Sequence, residues 1–377
     1  MKRKLTFIAC VAAGLVVQAA PAFASDPHQD YEVMATGLLS PLHLAVGDGE
    51  SVKVSQDFSG MLTQVEHDGE RHDVYTARKG WEVAGAEIRG DKTYFLESIG
   101  AGQGDPAALH GYLKSIDAKG HVETIANFAD YERKANPDAK QHYGLEPDAS
   151  QQCLTEAGGL PDAPPPQYTG TVDSHPYALA LWKDTAYVAD AGMNAILKVD
   201  LESGKISTVA VLPPRPLTLT KKIAATLGAP DCAGFSYAFE PVPTDVEIGT
   251  DGWLYVTSLP GGPEDPSLGA RGAVFKINPW SGDADVWADH IMSPTGLAVG
   301  DDGDVYVASL FGSEILKFDC QGHRSQFLAV NQPADVEFRN GDVFATVDAL
   351  VGAPDPMAPS GGPTPQPGGR LIEVDHR

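Results

Sequence analysis

His43, Asp245 and Asp335 occupy one and the same place in three segments that align with one another, "PLHLAV", "PTDVEI" and "PADVEF". Two carboxylates and an imidazole converging from three such segments could hold Ca2+ or bind a polar ligand. The plainer alternative is that both aspartates accept backbone N–H groups and orient the chain around them. A second group, Asp173, His175 and Tyr177, lies within "DSHPYA", and Asp190 closes the strand pattern that follows it. With Thr244 and Thr295 these residues make a candidate binding set of nine. Asp245 and Asp335 are its candidate metal ligands, with Ca2+ the expected ion, and no residue is assigned a catalytic role.

Other chemistries lack their residues. There is no G-x-S-x-G elbow and no H-E-x-x-H pair. "GAGQG" at residues 100–104 follows a strand pattern but opens no helix, so it reads as a loop. A metal-dependent lactonase of the gluconolactonase type places a Glu and amide or carboxylate oxygens at the tops of inner strands. The matching positions here are Leu42, Ala84, Tyr177, Thr244, Thr295 and Ala334, which do not supply that set.

The elements that must position the candidates come from a repeat. Six copies run in order: "SPLHLAVGDGESVKVSQ", "EVAGAEIRGDKTYFLES", "HPYALALWKDTAYVAD", "VPTDVEIGTDGWLYVTS", "SPTGLAVGDDGDVYVAS" and "QPADVEFRNGDVFATVD". Each is two strands of alternating polarity about a tight glycine or aspartate turn, followed by a third strand and generally a fourth. A lone meander leaves faces and edges bare, whereas stacking six radially covers both. The expected fold is therefore all-β, a six-bladed β-propeller of four-stranded antiparallel blades. Blades are expected near 38–78, 79–130, 174–213, 241–289, 290–329 and 331–377, with residues 31–37, "YEVMATG", as the outer strand that completes the last one. Tyr187, Tyr255, Tyr306 and Trp287 then belong to blade cores.

Nearly all the surplus length falls in loops of one face, including insertions 131–173 and 214–240, which marks that face for binding. Two short helices are expected there, "FADYERKA" from Phe128 and "TLTKKIAATLG" from Thr218. Cys153 and Cys232 lie in these neighbouring insertions and are expected to pair, leaving Cys320 over. Residues 1–24, basic at Lys2, Arg3 and Lys4, then apolar, then small at Ala22 and Ala24, read as a signal peptide. The chain is accordingly expected to be secreted and unanchored.

The formal charge is −24, or −27 once the three basic and no acidic groups of residues 1–24 are removed. Such a surface repels phosphate backbones and anionic lipids, which excludes nucleic acid and bare membrane as partners. A small polar ligand or another exported protein remains, bound by a monomer.

The segments "FADYERKANPDA", "DSHPYALALWKDTAYVADAGMNAILKVD" and "VPTDVEIGTDGWLYVTSLPGGPEDPSLGARGAVFKI" together resemble the ScyD/ScyE family of exported NHL-like propeller proteins. The resemblance runs over most of the mature chain and implies the fold more strongly than the function. The family's namesakes belong to the gene set for the pigment scytonemin. His175 stands where the family tends to have Asn, and Ser258 and Ser309 where it tends to have Glu. The main expectation is a binding or interaction module using the insertion-rich face. The alternative is a lactonase-like metal-dependent hydrolase, or an accessory protein of secondary-metabolite formation.

Overall fold

A computed structural model describes residues 31–47, 49, 51–161, 163–264, 266–353 and 366–375. Residues 1–24 and most of the Pro/Gly segment between the last two strands lie outside the described residues.

Each repeat becomes a four-stranded antiparallel meander, ordered from an inner strand outward. The inner strands are Pro41–Val46, Glu82–Arg89, Pro176–Trp182, Pro243–Ile248, Pro294–Val299 and Asp335–Arg339. Each packs beside the next in chain order, and the sixth packs beside the first. The apolar residues that alternate along the strands fill the spaces between sheets. Ala180, Tyr187 and Ile196 of the third sheet meet Val246, Val256 and Phe275 of the fourth. Val54 and Val65 of the first sheet meet Phe344 and Leu371 of the sixth. The result is all-β and propeller-like.

In the sixth sheet Asp335–Arg339, Asp342–Val347 and Gly369–Asp375 are joined by Glu32–Leu38, which pairs antiparallel with Gly369–Asp375. Met34, Ala35 and Leu38 of that N-terminal strand are buried.

Four inner strands are entered through a residue at positive φ: Ser40 (49°), Val242 (46°), Ser293 (45°) and Gln332 (44°). The carbonyl of each accepts the N–H of a residue one or two positions past the second strand, Asp57, Leu259, Leu310 and Ala349 respectively. His175 O accepts Ala191 N–H in the same way. This repeated bond fixes the rim of the central channel. At Val242, a β-branched residue, the left-handed conformation is strained.

The two insertions do not stay separate. Gln167–Thr169, His142–Leu145, Ser236–Phe239 and Arg215–Thr218 form a seventh sheet in that order, two strands from each insertion. Above it lie the helices Gln151–Ala157, capped by Ser150, and Lys221–Thr226, capped by Thr220. Cys153 and Cys232 are disulfide-bonded there, with Cα atoms 4.6 Å apart, among Leu145, Leu219 and Ala224. Cys320 is free and exposed. Phe128–Ala135 is helical as its pattern suggests, with Asn127 accepting Asp130 N–H at its start. The helix expected from Thr218 begins only at Lys221, because Arg215–Thr218 is drawn into the sheet. The helix Gln151–Ala157 has no counterpart in the sequence reading.

Candidate functional site

The inner strands converge on the axis, so each position along them forms a ring. The ring containing His43, Asp245 and Asp335 is otherwise made by Gly85, Ala178 and Gly296, and crowding explains the small residues. A Cβ on Gly85 would lie 2.6 Å from Ala178 Cα, and one on Gly296 would lie 2.2 Å from Asp335 Oδ1.

Asp245 and Asp335 link neighbouring strands. Asp245 accepts Val246 N–H (2.8 Å) and Leu297 N–H (2.6 Å). Asp335 accepts Val336 N–H (2.9 Å) and Leu44 N–H (2.8 Å). Each carboxylate thus ties its own strand to the next one round the ring. Thr244 Oγ1 donates to Pro294 O (3.0 Å) and Thr295 Oγ1 to Ala334 O (2.6 Å), which repeats the tie one level higher.

His43 is 2% exposed. Its Nε2 lies 3.6 Å from Asp57 Oδ2 and its Nδ1 3.9 Å from Asp335 Oδ2. Burial, with His175 nearby, holds its pKa down to about 3, so the imidazole is neutral. Burial also raises Asp57 well above the usual carboxylate range, with the Glu82 charge adding to it. Asp57 Oδ1 is buried without a hydrogen-bond partner.

His175 Nε2 lies 2.9 Å from Glu82 Oε2. Burial pushes Glu82 up, but the hydrogen bond and charge of His175 outweigh it and hold Glu82 below its ordinary value. Asp190, fully buried, accepts Ser174 Oγ–H (2.7 Å), His175 N–H (2.8 Å) and Met193 N–H (3.0 Å). Asp190 therefore positions the backbone that carries His175. Asp173 accepts Gly102 N–H (2.8 Å) and Ser174 N–H (2.9 Å), and burial raises it to about 6. Tyr177 presents its ring between the two imidazoles, with centroids 4.5 Å from His43 and 5.4 Å from His175.

These groups surround a cavity of about 130 Å³ at the channel mouth, with Asp57, Glu82, His175, Tyr177, Thr244 and Thr295 in its wall. Beside it, under the insertion sheet, lies a second cavity of about 270 Å³, mainly apolar. Ala101, His175, Ala191 and Val242 line both.

The structure thus brings His175, Tyr177, Thr244 and Thr295 to the mouth cavity, buries His43 against Tyr177 outside its wall, and sets Asp173 against the insertion cavity. It places Asp190, Asp245 and Asp335 in backbone hydrogen bonding. Asp57 and Glu82 are missing from the sequence reading, yet both depart from the repeat. Glu82 opens its copy where the other five have a residue followed by proline. Asp57 occupies the place of Ala191, Leu259, Leu310 and Ala349.

Two positions beyond the aspartate ring, the inner strands carry Ala45, Glu87, Ala180, Glu247, Ala298 and Glu337 in strict alternation. Ligand oxygens of the three glutamates lie within 4.8 Å of one another, and among the described residues this is the cluster that could hold a metal ion. The expected ligands Asp245 and Asp335 are not part of it. An all-oxygen set of this kind suits a hard cation such as Ca2+. Burial and the neighbouring acids raise all three glutamates, Glu87 to about 8.

No family model matches the chain, and no curated protein matches it. Solved structures do. The PQQ-bound aldose sugar dehydrogenase of Streptomyces coelicolor is 14% identical, covering 91% of this chain and 96% of that one, with a TM-score of 0.55. A gluconolactonase from Xanthomonas campestris is 10% identical, covering 90% and 88%, with a TM-score of 0.52. Virginiamycin B lyase from Staphylococcus aureus is 15% identical, covering 91% and 98%, with a TM-score of 0.49. At such identities the likeness concerns the fold alone, and the sugar dehydrogenase and the gluconolactonase fit a β-propeller-like fold.

Proposed function

We propose that this chain is an exported six-bladed β-propeller, closed by Glu32–Leu38, whose channel mouth binds a small ligand and performs proton-transfer chemistry on it. The observation that carries this reading is the His175–Glu82 contact at 2.9 Å in the wall of the mouth cavity, with Tyr177 beside it and His43, 3.6 Å from Asp57, packed against the Tyr177 ring. In the His175–Glu82 pair the carboxylate orients the ring and stabilises its protonated form, so that imidazole can take and return a proton, whereas His43 and Asp57 are close without a hydrogen bond. The two pairs differ usefully. His43 is held neutral by burial, while His175 contacts a carboxylate held in its charged form. One pair suits accepting a hydrogen bond or proton and the other suits stabilising positive charge, an arrangement compatible with opening a lactone or ester or with an elimination.

The membership in the ScyD/ScyE family suggested by the sequence segments belongs to the same proposal. Secretion does too, supported by the Cys153–Cys232 disulfide, which points to an oxidising, extracellular environment. No helix among the described residues is long and apolar enough to cross a membrane.

The second reading is a binding module without turnover. The insertion sheet over the mouth favours it, since it offers a large face for a partner. A panel of lactones and aryl esters, assayed with and without added divalent cations, separates the two. The enzyme reading expects turnover that falls by about 100-fold in His175→Asn, while NMR still shows ligands shifting the His43 imidazole. Ligand-induced shifts with no turnover of any panel member would remove the catalytic reading and leave the binding module.

A further inference from the structure

The mouth cavity and the insertion cavity share four wall residues, and their character changes from one to the other. Around the mouth the carboxyl groups are Asp57, Glu82 and Glu264, set among His175, Tyr177, Thr244 and Thr295. The insertion cavity adds Asp173 and Glu240 at its edge, but its body is apolar and aromatic, with Leu160, Leu227, Tyr237 and Phe239. Tyr168 O–H donates to Glu240 at 2.8 Å, which leaves its ring face to the cavity wall. Among the described residues, no lysine or arginine lines either cavity. The Arg271 guanidinium stacks on Phe239 at 4.6 Å and donates to the carbonyls of Pro260, Gly261 and Pro263.

We propose that the two cavities form one cleft for an organic cation, a small ligand with a protonated amine at the mouth and a flat apolar body under the insertion sheet. This rests on the mouth being the ligand site and adds the chemical class of what it takes. Among the described residues five carboxyl groups and no lysine or arginine line the two cavities, with the His175 imidazole bonded to Glu82 between them, a balance that favours positive charge, and the acidic surface concentrates cations around it. Two features mark where the ammonium sits. The Glu82 side chain is 37% exposed, open to the mouth. Asp57 Oδ1 is 98% buried by residue and has no donor, so an incoming N–H satisfies it. Tyr177 adds a ring face or edge beside the same place, and aromatic rings attract ammonium groups. The apolar body gains from burial against Leu160, Leu227 and Phe239. An anionic ligand of equal shape would meet repulsion from Glu82, which His175 holds in its charged form, and this is how the cleft selects.

Equilibrium binding of three probes of one shape tests this: 2-naphthylethylamine, 2-naphthylethanol and 2-naphthylacetate, measured on the full chain at pH 7 and physiological salt. The amine is expected to bind about 10-fold or more tighter than the alcohol, and the acetate weakest, as a desolvated charge-assisted bond implies. Glu82→Gln, which keeps a hydrogen-bonding side chain beside His175, is expected to abolish the amine's advantage over the alcohol. Leu160→Trp, which fills the apolar part, is expected to weaken all three while the melting midpoint holds. Equal affinity for amine and alcohol, or an amine advantage that survives Glu82→Gln, overturns the cation inference and leaves the mouth as the ligand site. Absence of binding by every probe also overturns it, and the imidazole shifts with lactones and esters then judge the mouth independently.

Discussion

At the scale of single residues, the buried acids divide by what satisfies them. Asp245 and Asp335 each accept two backbone N–H groups, and Asp190 accepts two N–H groups and a hydroxyl. Glu132 differs: it is fully buried, its Oε1 accepts Asp173 N–H at 3.3 Å, and its Oε2 has no partner. Burial, with Asp190 and other acids nearby, raises it from 4.5 to about 8. A glutamate raised in the folded state holds its proton at pH values where the unfolded chain has lost it. Its contribution to stability is therefore complete below about pH 4.5 and is lost as pH rises towards 8. Glu132→Gln keeps an acceptor for Asp173 and removes the ionisation. The variant is expected to flatten the decline of the melting midpoint between pH 5 and 8, measured by circular dichroism against the parent chain. An unchanged slope would refute this role for Glu132.

At the scale of elements, the insertions show how much pairing between distant segments can hide in sequence. Residues 131–173 and 214–240 look like two long loops, since each contains only short β-patterns split by prolines and glycines. Together they supply four strands that satisfy one another's backbone groups, and a strand of four residues has that chance only when its partner is at hand. The disulfide holds the helix Gln151–Ala157 to the turn Pro230–Cys232 across 79 residues of chain. Closing a loop of that length removes about 4 kcal/mol of unfolded-chain entropy in the simplest estimate. Cys153→Ser with Cys232→Ser is expected to raise hydrogen exchange in His142–Leu145, Gln151–Ala157 and Ser236–Phe239, while the inner strands keep their protection. Equal loss of protection throughout would mean that the insertion sheet and the meanders unfold as one unit.

At the scale of the molecule, each inner strand packs beside the next and the sixth beside the first, and the sixth sheet takes its outer strand from residues 32–38. Glu32–Leu38 pairs with Gly369–Asp375 through two register shifts. Its hold comes from Met34, Ala35 and Leu38, buried against Leu44, Val52 and Leu371. Three buried apolar side chains are worth on the order of 5 kcal/mol. A chain lacking residues 1–38 exposes the edge of Gly369–Asp375 and uncovers the boundary between the sixth and first sheets. It is expected to melt roughly 10 °C lower and to self-associate through the bare edge, as light scattering would detect. A monomeric truncation with an unchanged midpoint would show that the ring does not depend on this strand.

The sequence by itself determined the repeating unit. Alternating Val, Ile, Tyr and Phe about glycine turns dictate hairpins locally, and six copies of one unbalanced meander leave radial stacking as the way to bury both faces. It also placed His43, His175 and Tyr177 near one another, because a repeat alignment converts register into height along the axis. Tertiary structure alone decided which acids meet those histidines. Asp57 and Glu82 stand out from the repeat, but their proximity to imidazoles depends on how far each inner strand turns toward the axis. The glutamate ring follows the same logic. Glu87, Glu247 and Glu337 are 90 residues or more apart, and only convergence of alternate strands draws their oxygens to within 4.8 Å. The insertion sheet was beyond sequence for the opposite reason: its strands have no repeat to align, and their pairing is set by what the ring beneath them leaves uncovered.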